Sequence, residues 1–395
     1  MPHKKPDFSK RTHFPGTHGN QFDVLLRVMD TTETLPAPVF AALLFVLACL
    51  PTSLSFSLSF SLLLWLFMLG DWALLWALPR AGKSFGPAKP PTLALAAMRA
   101  PFALLPLAAA LPVQFIGTLL VIYSFWIEPH RLTLTRRSLR SPKLNSGPPL
   151  RILHLGDLHL ERITHREHRL REMIRSVNAD LILFSGDFLN LSYIHDPVAQ
   201  QQVREVVSQW SAPLGVWVVS GSPAVDVPEV VPQPLLNDLP LRWLGDEKVT
   251  LRHNGHEIDL VGLTCTHKPF VDGPRLLEVM GGRPSRFTLL LYHTPDLALE
   301  AAEAGVDLQL SGHTHGGQVR VPFYGALITA SLYGKRFEIG RCQVDGLTLY
   351  VTRGIGMEGK GAPRARFLCP PEISLWEIGG TGEGESHGLP VRGGH

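Results

Sequence analysis

Four segments of this 395-residue chain carry residue types that could do chemistry together: Gly156-Asp157-Leu158-His159, Gly186-Asp187, Tyr292-His293 and Gly312-His313-Thr314-His315. Each stands where an apolar run gives way to glycine or a turn residue. They supply two carboxylates and four imidazoles, hard and borderline ligands sufficient for two divalent cations. Asp157 and His159 lie at i and i+2 just past a strand end, so their side chains point the same way and can reach one ion. His313 and His315 repeat that spacing. Asp187 can bridge two ions, and His293 adds a nitrogen from a separate strand. Gly312, Gly316 and Gly317 let the backbone turn sharply and approach a bound anion. Two cations ~3.5–4 Å apart would share a phosphate, acidify a bridging water and neutralise charge in an in-line displacement. A lone Asp-x-His is common, and a lone histidine after a strand is usually solvated or satisfied. The set of four, each at a strand end, is what points to a metal centre.

The elements that must position these residues follow from hydrophobic periodicity. Strands are expected over 150–155, 181–185, 216–220, 257–263, 287–292, 307–311, 338–344 and 347–351. Helices are expected over 165–178, 198–210 and 295–304. This alternation predicts an α/β domain with helices on the sheet faces and ligands at the C-terminal ends of strands.

The N-terminal half has a different composition. Residues 1–34 form a polar, basic tail with Lys4, Lys5, Lys10, Arg11 and Arg27. Residues 35–79 contain one charged side chain, Asp71. At ~20 residues per span, this stretch and the apolar run 102–126 predict about three transmembrane helices, near 37–52, 55–79 and 102–126, within a region 35–128. Residues 80–101 read as a loop, 129–149 as a basic juxtamembrane linker, and 378–395 as a flexible tail. Basic residues before 102 prefer the inner side. A third span would then carry the domain outside, although Arg131, Arg136, Arg137, Arg140 and Lys143 favour the inside. The expectation is a membrane protein whose domain could lie on either side, with the extracytoplasmic side favoured. A transporter is disfavoured, because no ion pair or inverted repeat is visible in the apolar runs.

A net charge of +3 without a basic stripe excludes nucleic acid as a specific partner. Cys49, Cys265, Cys342 and Cys369 form no C-x-x-C pair and signal neither a zinc knuckle nor a redox dithiol.

Over residues 149–377 the chain resembles the calcineurin-like metallophosphoesterases, and most closely their membrane-tethered bacterial branch. The resemblance rests on the four segments, on the run Ala304 to Gln318, on Thr352-Arg353-Gly354-Ile355-Gly356 and on Arg366 to Ile373. It implies a four-layer αββα sandwich over 150–377, preceded by the transmembrane region, and a two-metal centre in a bacterial plasma membrane. By carry-over, Asp157, His159 and His315 would hold one ion, Asp187 would bridge, and His293 and His313 would hold the second. The metals would be Mn, Fe, Zn or Co. The implied activity is hydrolysis of a phosphomonoester, phosphodiester or pyrophosphate, on a phosphorylated small molecule or lipid-linked substrate beside the bilayer.

The pattern breaks at one place. The family has Gly-Asn-His after the third strand, where asparagine binds the second metal and histidine contacts the scissile phosphate. This chain has Gly221-Ser222-Pro223. Proline can neither bind a metal nor donate a proton. Ser222 or Asp226 could replace the lost ligand, and His267 could act as a general acid or be a solvated loop residue. The alternative function is a metal-binding pseudo-phosphoesterase that recognises a phosphorylated ligand without turnover.

Overall fold

The protein, a computed structural model, is described over residues 5–52 and 58–381. Its N-terminal half contains α1 (Gln21–Asp30), α2 (Ala37–Thr52), α3 (Leu58–Ala77), α4 (Lys89–Arg99) and α5 (Leu107–Ile122). The last continues through a π turn and a 3-10 turn to His130. The helical runs Leu58–Ala77 and Leu107–His130 are long and apolar enough to cross a bilayer. A helix pair bent by 114°, Val24–Thr34 and Ala37–Pro51, would make a third. The expected break between the spans 37–52 and 55–79 and the tail beyond residue 381 lie outside the described residues.

The second half of the expected 80–101 loop is helix α4. Pro90 and Pro91 occupy its first turn, where a missing N–H costs no helical bond. Ala96 is buried against Phe40, Leu44 and Ala48 of α2 and Leu64 and Met68 of α3. Its last residue, Arg99, is buried and bonds to Asp71 through Nε at 2.6 Å and Nη2 at 2.8 Å. The same guanidinium donates to the Gln114 carbonyl at 2.7 Å and to Thr118 at 2.9 Å. The apolar helices therefore do contain an ion pair, contrary to the sequence expectation, because Arg99 folds in from the segment read as loop.

Two six-stranded sheets follow. The first uses β1 (Thr133–Arg140), β2 (Leu150–Leu155), β3 (Leu181–Phe184), β4 (Val216–Val218) and β5 (Leu241–Trp243). The second uses β6 (Glu247–His253), β7 (His256–Gly262), β8 (Phe287–Leu291) and β9 (Leu308–Ser311). After a short ribbon of β10 (Arg320–Val321) and β11 (Gly325–Ala326), β12 (Gly340–Val344) and β13 (Leu347–Val351) complete the second sheet. The chain then returns as β14 (Glu372–Gly379) to the first. The spatial orders are β1-β14-β2-β3-β4-β5 and β12-β13-β9-β8-β7-β6.

Period-two alternation sorts the strand residues between two faces. Leu181 and Leu183 of β3 meet Leu289, Leu291, Leu308 and Leu310 of the other sheet. Ile182 and Phe184 face outward onto α6 (His165–Ser176) and α7 (Pro197–Val207). Val261 and Leu290 face outward from the second sheet onto α8 (Pro269–Met280) and α9 (Ala298–Ala304). Helices thus cover both outer faces of a face-to-face sheet pair. The Thr164 capping box fixes the start of α6, and Asp196 caps α7.

The expected linker 129–149 contains β1, which pairs in parallel with β14 along Thr133–Arg140. The domain therefore begins before residue 150. The polar tail is likewise docked on the domain. Phe14 is buried against Phe270, the Gly16 carbonyl accepts the Ala224 N–H at 3.1 Å, and Lys5 pairs with Glu303 at 2.6 Å.

Replacing Arg99 with Leu should lower the stability of the detergent-solubilised chain by about 3–5 kcal/mol, because it strands a buried carboxylate. The double change Arg99→Met with Asp71→Leu should recover most of that loss. Thermal unfolding of the three proteins measures it.

Candidate metal centre

The C-terminal ends of β2, β3 and β4 in one sheet converge with those of β7, β8 and β9 in the other. The parallel registers β2/β3/β4 and β7/β8/β9 put their following turns side by side. Asp157 and His159 follow β2, Asp187 follows β3, and Ser222 follows β4. His267 follows β7, His293 follows β8, and His313 and His315 follow β9. Six of these residues have left-handed backbone: Asp157, His159, Asp187, His267, His313 and His315. Such strain is retained where surrounding structure over-determines it, as functional sites do. Gly221 has no substitute here, since a Cβ would run into the Asp187 carboxylate and amide.

Asp187 lies at the middle. Its Oδ2 is 3.3 Å from His159 Nε2 and 3.4 Å from His293 Nε2, and its Oδ1 accepts the Ser222 N–H at 2.6 Å. His293 Nδ1 lies 2.7 Å from the Ser185 carbonyl, which turns Nε2 toward Asp187. Asp157 accepts the His313 amide at 2.9 Å and faces His293 Nδ1 at 3.9 Å. His159 and His315 bring their Nε2 atoms to 3.0 Å. All six expected ligands are buried. Three groupings could each surround an ion: Asp157-His159-His315, Asp157-Asp187-His293 and His267-His293-His313.

Burial alone would push the Asp187 carboxyl up. The charges of His293 and His159 and their hydrogen bonds outweigh it and hold the group well below the usual carboxylate range. Burial works against the His159 and His293 imidazoliums, yet Asp187 raises both to about 9. Burial, with His293 opposing and Asp187 adding, brings Asp157 up to about 6. Burial takes His313 down to about 3 and His315 well below its ordinary value. The donor set fits divalent cations. It is buried, and His159 Nδ1, His313 Nε2 and both nitrogens of His267 have no hydrogen-bond partner.

Among the substitutes expected for the lost asparagine, Ser222 is in place. Its Oγ lies 3.0 Å from His293 Nε2, 3.3 Å from Asp187 Oδ2 and 3.4 Å from His313 Nδ1. Asp226 is not. Its two oxygens accept the amides of Asp187 at 2.9 Å, Phe188 at 3.1 Å and Gly221 at 2.7 Å. It clamps the β3 and β4 turns instead of facing the ligands. Nor is His267 a solvated loop residue: it is buried, with its ring centroid 4.6 Å from His313 and 5.6 Å from His293.

A family profile for calcineurin-like phosphoesterase matches residues 150–317. The uncharacterised metallophosphoesterase YkuE of Bacillus subtilis is 31% identical over 268 residues, covering 66% of this chain and 90% of that protein. The chain belongs to the calcineurin-like phosphoesterases. These are hydrolases of phosphoester bonds. The UDP-2,3-diacylglucosamine pyrophosphatase LpxG of Chlamydia muridarum is 24% identical, covering 64% of this chain and 91% of that one. The phosphodiesterase YaeI of Escherichia coli is 26% identical, covering 65% and 92%.

Two parts of the phosphoesterase site have no role assigned from the sequence, although the first, Arg366, opens one of the runs that carry the resemblance. Arg366, fully buried, donates to the Arg353 carbonyl at 2.9 Å and the Gly356 carbonyl at 2.5 Å, and Nη2 lies 3.5 Å from His315 Nδ1. It fastens the Gly354–Gly356 turn beneath Asp157. The other part is the N-terminal strap. A cavity of about 280 Å³ over the site is bounded by Arg11, His13 and Gly16 on one side and by Asp187, Ser222 and His313 on the other. The one hint in the sequence is Phe14-Pro15-Gly16, an apolar turn in an otherwise polar tail.

Replacing Asp226 with Ala should leave three buried amides unpaired, at about 1–3 kcal/mol each. The expected result is a loss of at least ~3 kcal/mol in chemical unfolding, with the metal content of the folded protein unchanged.

Proposed function

We propose that the chain is a membrane-anchored hydrolase of pyrophosphates or phosphodiesters. Its two-metal centre is formed by Asp157, His159, Asp187, His293, His313 and His315. The observation that carries this is the convergence of the other five buried groups around the single carboxylate of Asp187. Two divalent cations, when bound, supply an activated water and neutralise charge on the phosphorus centre. Asp187 remains ionised between the two halves of the ligand set. The Ser185 carbonyl holds His293 in one orientation, and the His313 amide holds Asp157. Arg11, on the rim of the cavity, supplies positive charge for an anionic substrate.

The leaving group receives less help than usual. Pro223 carries no proton, and general-acid assistance is typically worth ~10²–10⁴-fold. Substrates whose leaving group is already a stable anion suffer least from this loss. A pyrophosphate, cleaved to two phosphate monoesters, meets that requirement, as does an activated diester. The pyrophosphatase named among the relatives supports this choice, and so does the placement of the domain against apolar helices, where a lipid-linked substrate would lie. With the full chain in detergent and Mn²⁺, hydrolysis of a graded series of aryl phosphodiesters should fall steeply as the leaving group becomes more basic. Asp187→Asn should lose more than the ~10–100-fold typical of outer-shell partners. A flat dependence would mean that an acid is present. No turnover from a folded, metal-loaded protein would favour the phospholigand-binding reading that Ser222-Pro223 prompts.

The contacts also support a cytoplasmic domain, the side that the sequence left open but did not favour. The tail meets the domain at Lys5, Phe14 and Gly16. The α3–α4 connection meets it as well, with Glu161 accepting from Ser84 and the Phe85 amide, and Tyr193 donating to the Phe85 carbonyl. Glu128, beyond α5, accepts the Leu368 amide at 2.9 Å. Chain segments before α2, between α3 and α4 and after α5 therefore share one side. This corresponds to two hairpins, α2–α3 and α4–α5, in which α3 and the α5 run are each long enough to cross a bilayer. That side carries Lys5, Lys10, Arg11, Arg80, Lys83, Lys89, Arg136, Arg137 and Arg140, which the positive-inside rule assigns to the cytoplasm. An impermeant maleimide should label Gln201→Cys, on an exposed position of α7, only after the cells are permeabilised.

A further inference from the structure

We propose that His267 is a ligand of the second metal ion and replaces the asparagine that this chain lacks, giving that ion three imidazoles, His267, His293 and His313, beside Asp187. This rests on the two-metal reading above and deepens it.

His267 is 1% exposed, and neither of its ring nitrogens has a hydrogen-bond partner. Buried polar atoms without protein partners are rare and destabilising, and binding an ion is one of the few ways to satisfy them. The other buried histidines of the site differ. Each of His159, His293, His313 and His315 has at least one nitrogen within hydrogen-bond reach of a neighbour. His267 makes only ring-edge contacts, with His313 at 4.6 Å and His293 at 5.6 Å between centroids. One ligand atom from each of these three rings lies within 4.8 Å of the others, so a single ion can sit among them.

Two further features hold the ring in that position. Ser222 stands beside the same three groups, with its Oγ bonded to Asp187, His293 and His313, and so backs the ring from the β4 turn. From the opposite side, the strap lies directly on the ring. A Cβ at Gly16 would collide with the imidazole and come within 2.8 Å of Ser222 Oγ. Gly16 has φ +72°, which suits glycine, and its carbonyl anchors to the Ala224 N–H. The β4 turn, the β7 turn and the strap therefore press His267 inward toward His293 and His313.

Exchanging a neutral oxygen ligand for a neutral imidazole leaves the charge of the site unchanged but makes it more nitrogen-rich. Imidazole suits Zn, Cu, Fe and Ni, whereas carboxylate, carbonyl and water suit Mg, Ca and Mn. The second site should therefore prefer Zn²⁺ or Co²⁺ to Mn²⁺, more strongly than a site completed by an amide oxygen. A coordinating His267 has no proton to give, which also removes it as the general acid.

The test uses the full-length protein in detergent, stripped by a chelator and titrated with Zn²⁺ and with Co²⁺. Metal is counted by plasma mass spectrometry, and the Co²⁺ absorption bands report the ligand field. Wild type should bind two ions. His267→Ala and the better-packed His267→Gln should keep one at full affinity and bind the other more than tenfold more weakly, with a changed Co²⁺ spectrum. Adding Ser222→Asn to His267→Ala should restore the second ion and shift its preference back toward Mn²⁺. Two ions bound with unchanged affinity and spectrum in both folded single variants would overturn the assignment of His267. Fewer than two ions in wild type would instead overturn the two-metal reading on which it rests.

Discussion

Asp187 has given up its water and keeps its charge because two imidazoles and a backbone amide replace that hydration. Everything else in the site is arranged around that exchange. Removing a charge from water costs several kcal/mol even after relaxation, and only close, well-oriented partners offset it. The partners come from different parts of the chain: His159 from the β2 turn, Ser222 from the β4 turn and His293 from the β8 turn. The two sheets must therefore meet in one register for the carboxylate to be tolerated at all. The Leu-rich interior between the sheets sets that register. The Asp226 clamp then fixes the β3 and β4 turns to each other to within a hydrogen bond.

Several residues of the site could be read directly because strands end abruptly. In β2, β3, β8 and β9 a mainly apolar run stops at glycine, aspartate, histidine or a polar residue followed by glycine, and the ligand candidates stand at that break. The helices with clear amphipathic spacing, α6 and α7, could be read for the same reason. Where the pattern was interrupted, sequence reasoning failed. In β1 the alternation is masked by Arg136, Arg137 and Arg140 on an exposed edge, so the strand looked like a basic linker. In α8, Pro269, Gly273 and Pro274 disguise a helix whose Leu276 and Met280 are buried. In α4, the prolines that open the helix suggested a loop, and Arg99 suggested water.

The remaining misses were non-local. Nothing adjacent to Asp71 in sequence shows that a guanidinium 28 residues away will meet it. Nothing in Thr264-Cys265-Thr266-His267 shows that the ring will be covered by Gly16. Asp226 has the chemistry of a ligand, and only the fold reveals that three amides already occupy its oxygens. Residue type and spacing identify which groups could act together. They do not identify which of those groups the backbone has already used.

The strap and the helices bear on the same site. The cavity is walled on one side by residues that precede α1 and on the other by the metal-ligand candidates, so the segment leading to the apolar helices also shapes the space a substrate must enter. The central claim is that two ions flank Asp187. Anomalous diffraction from crystals of the full chain grown with Mn²⁺ and with Zn²⁺ tests it most directly. Two peaks are expected on either side of the Asp187 carboxylate, one near Asp157, His159 and His315, the other near His293 and His313. A single peak, or two that do not share Asp187, would contradict it.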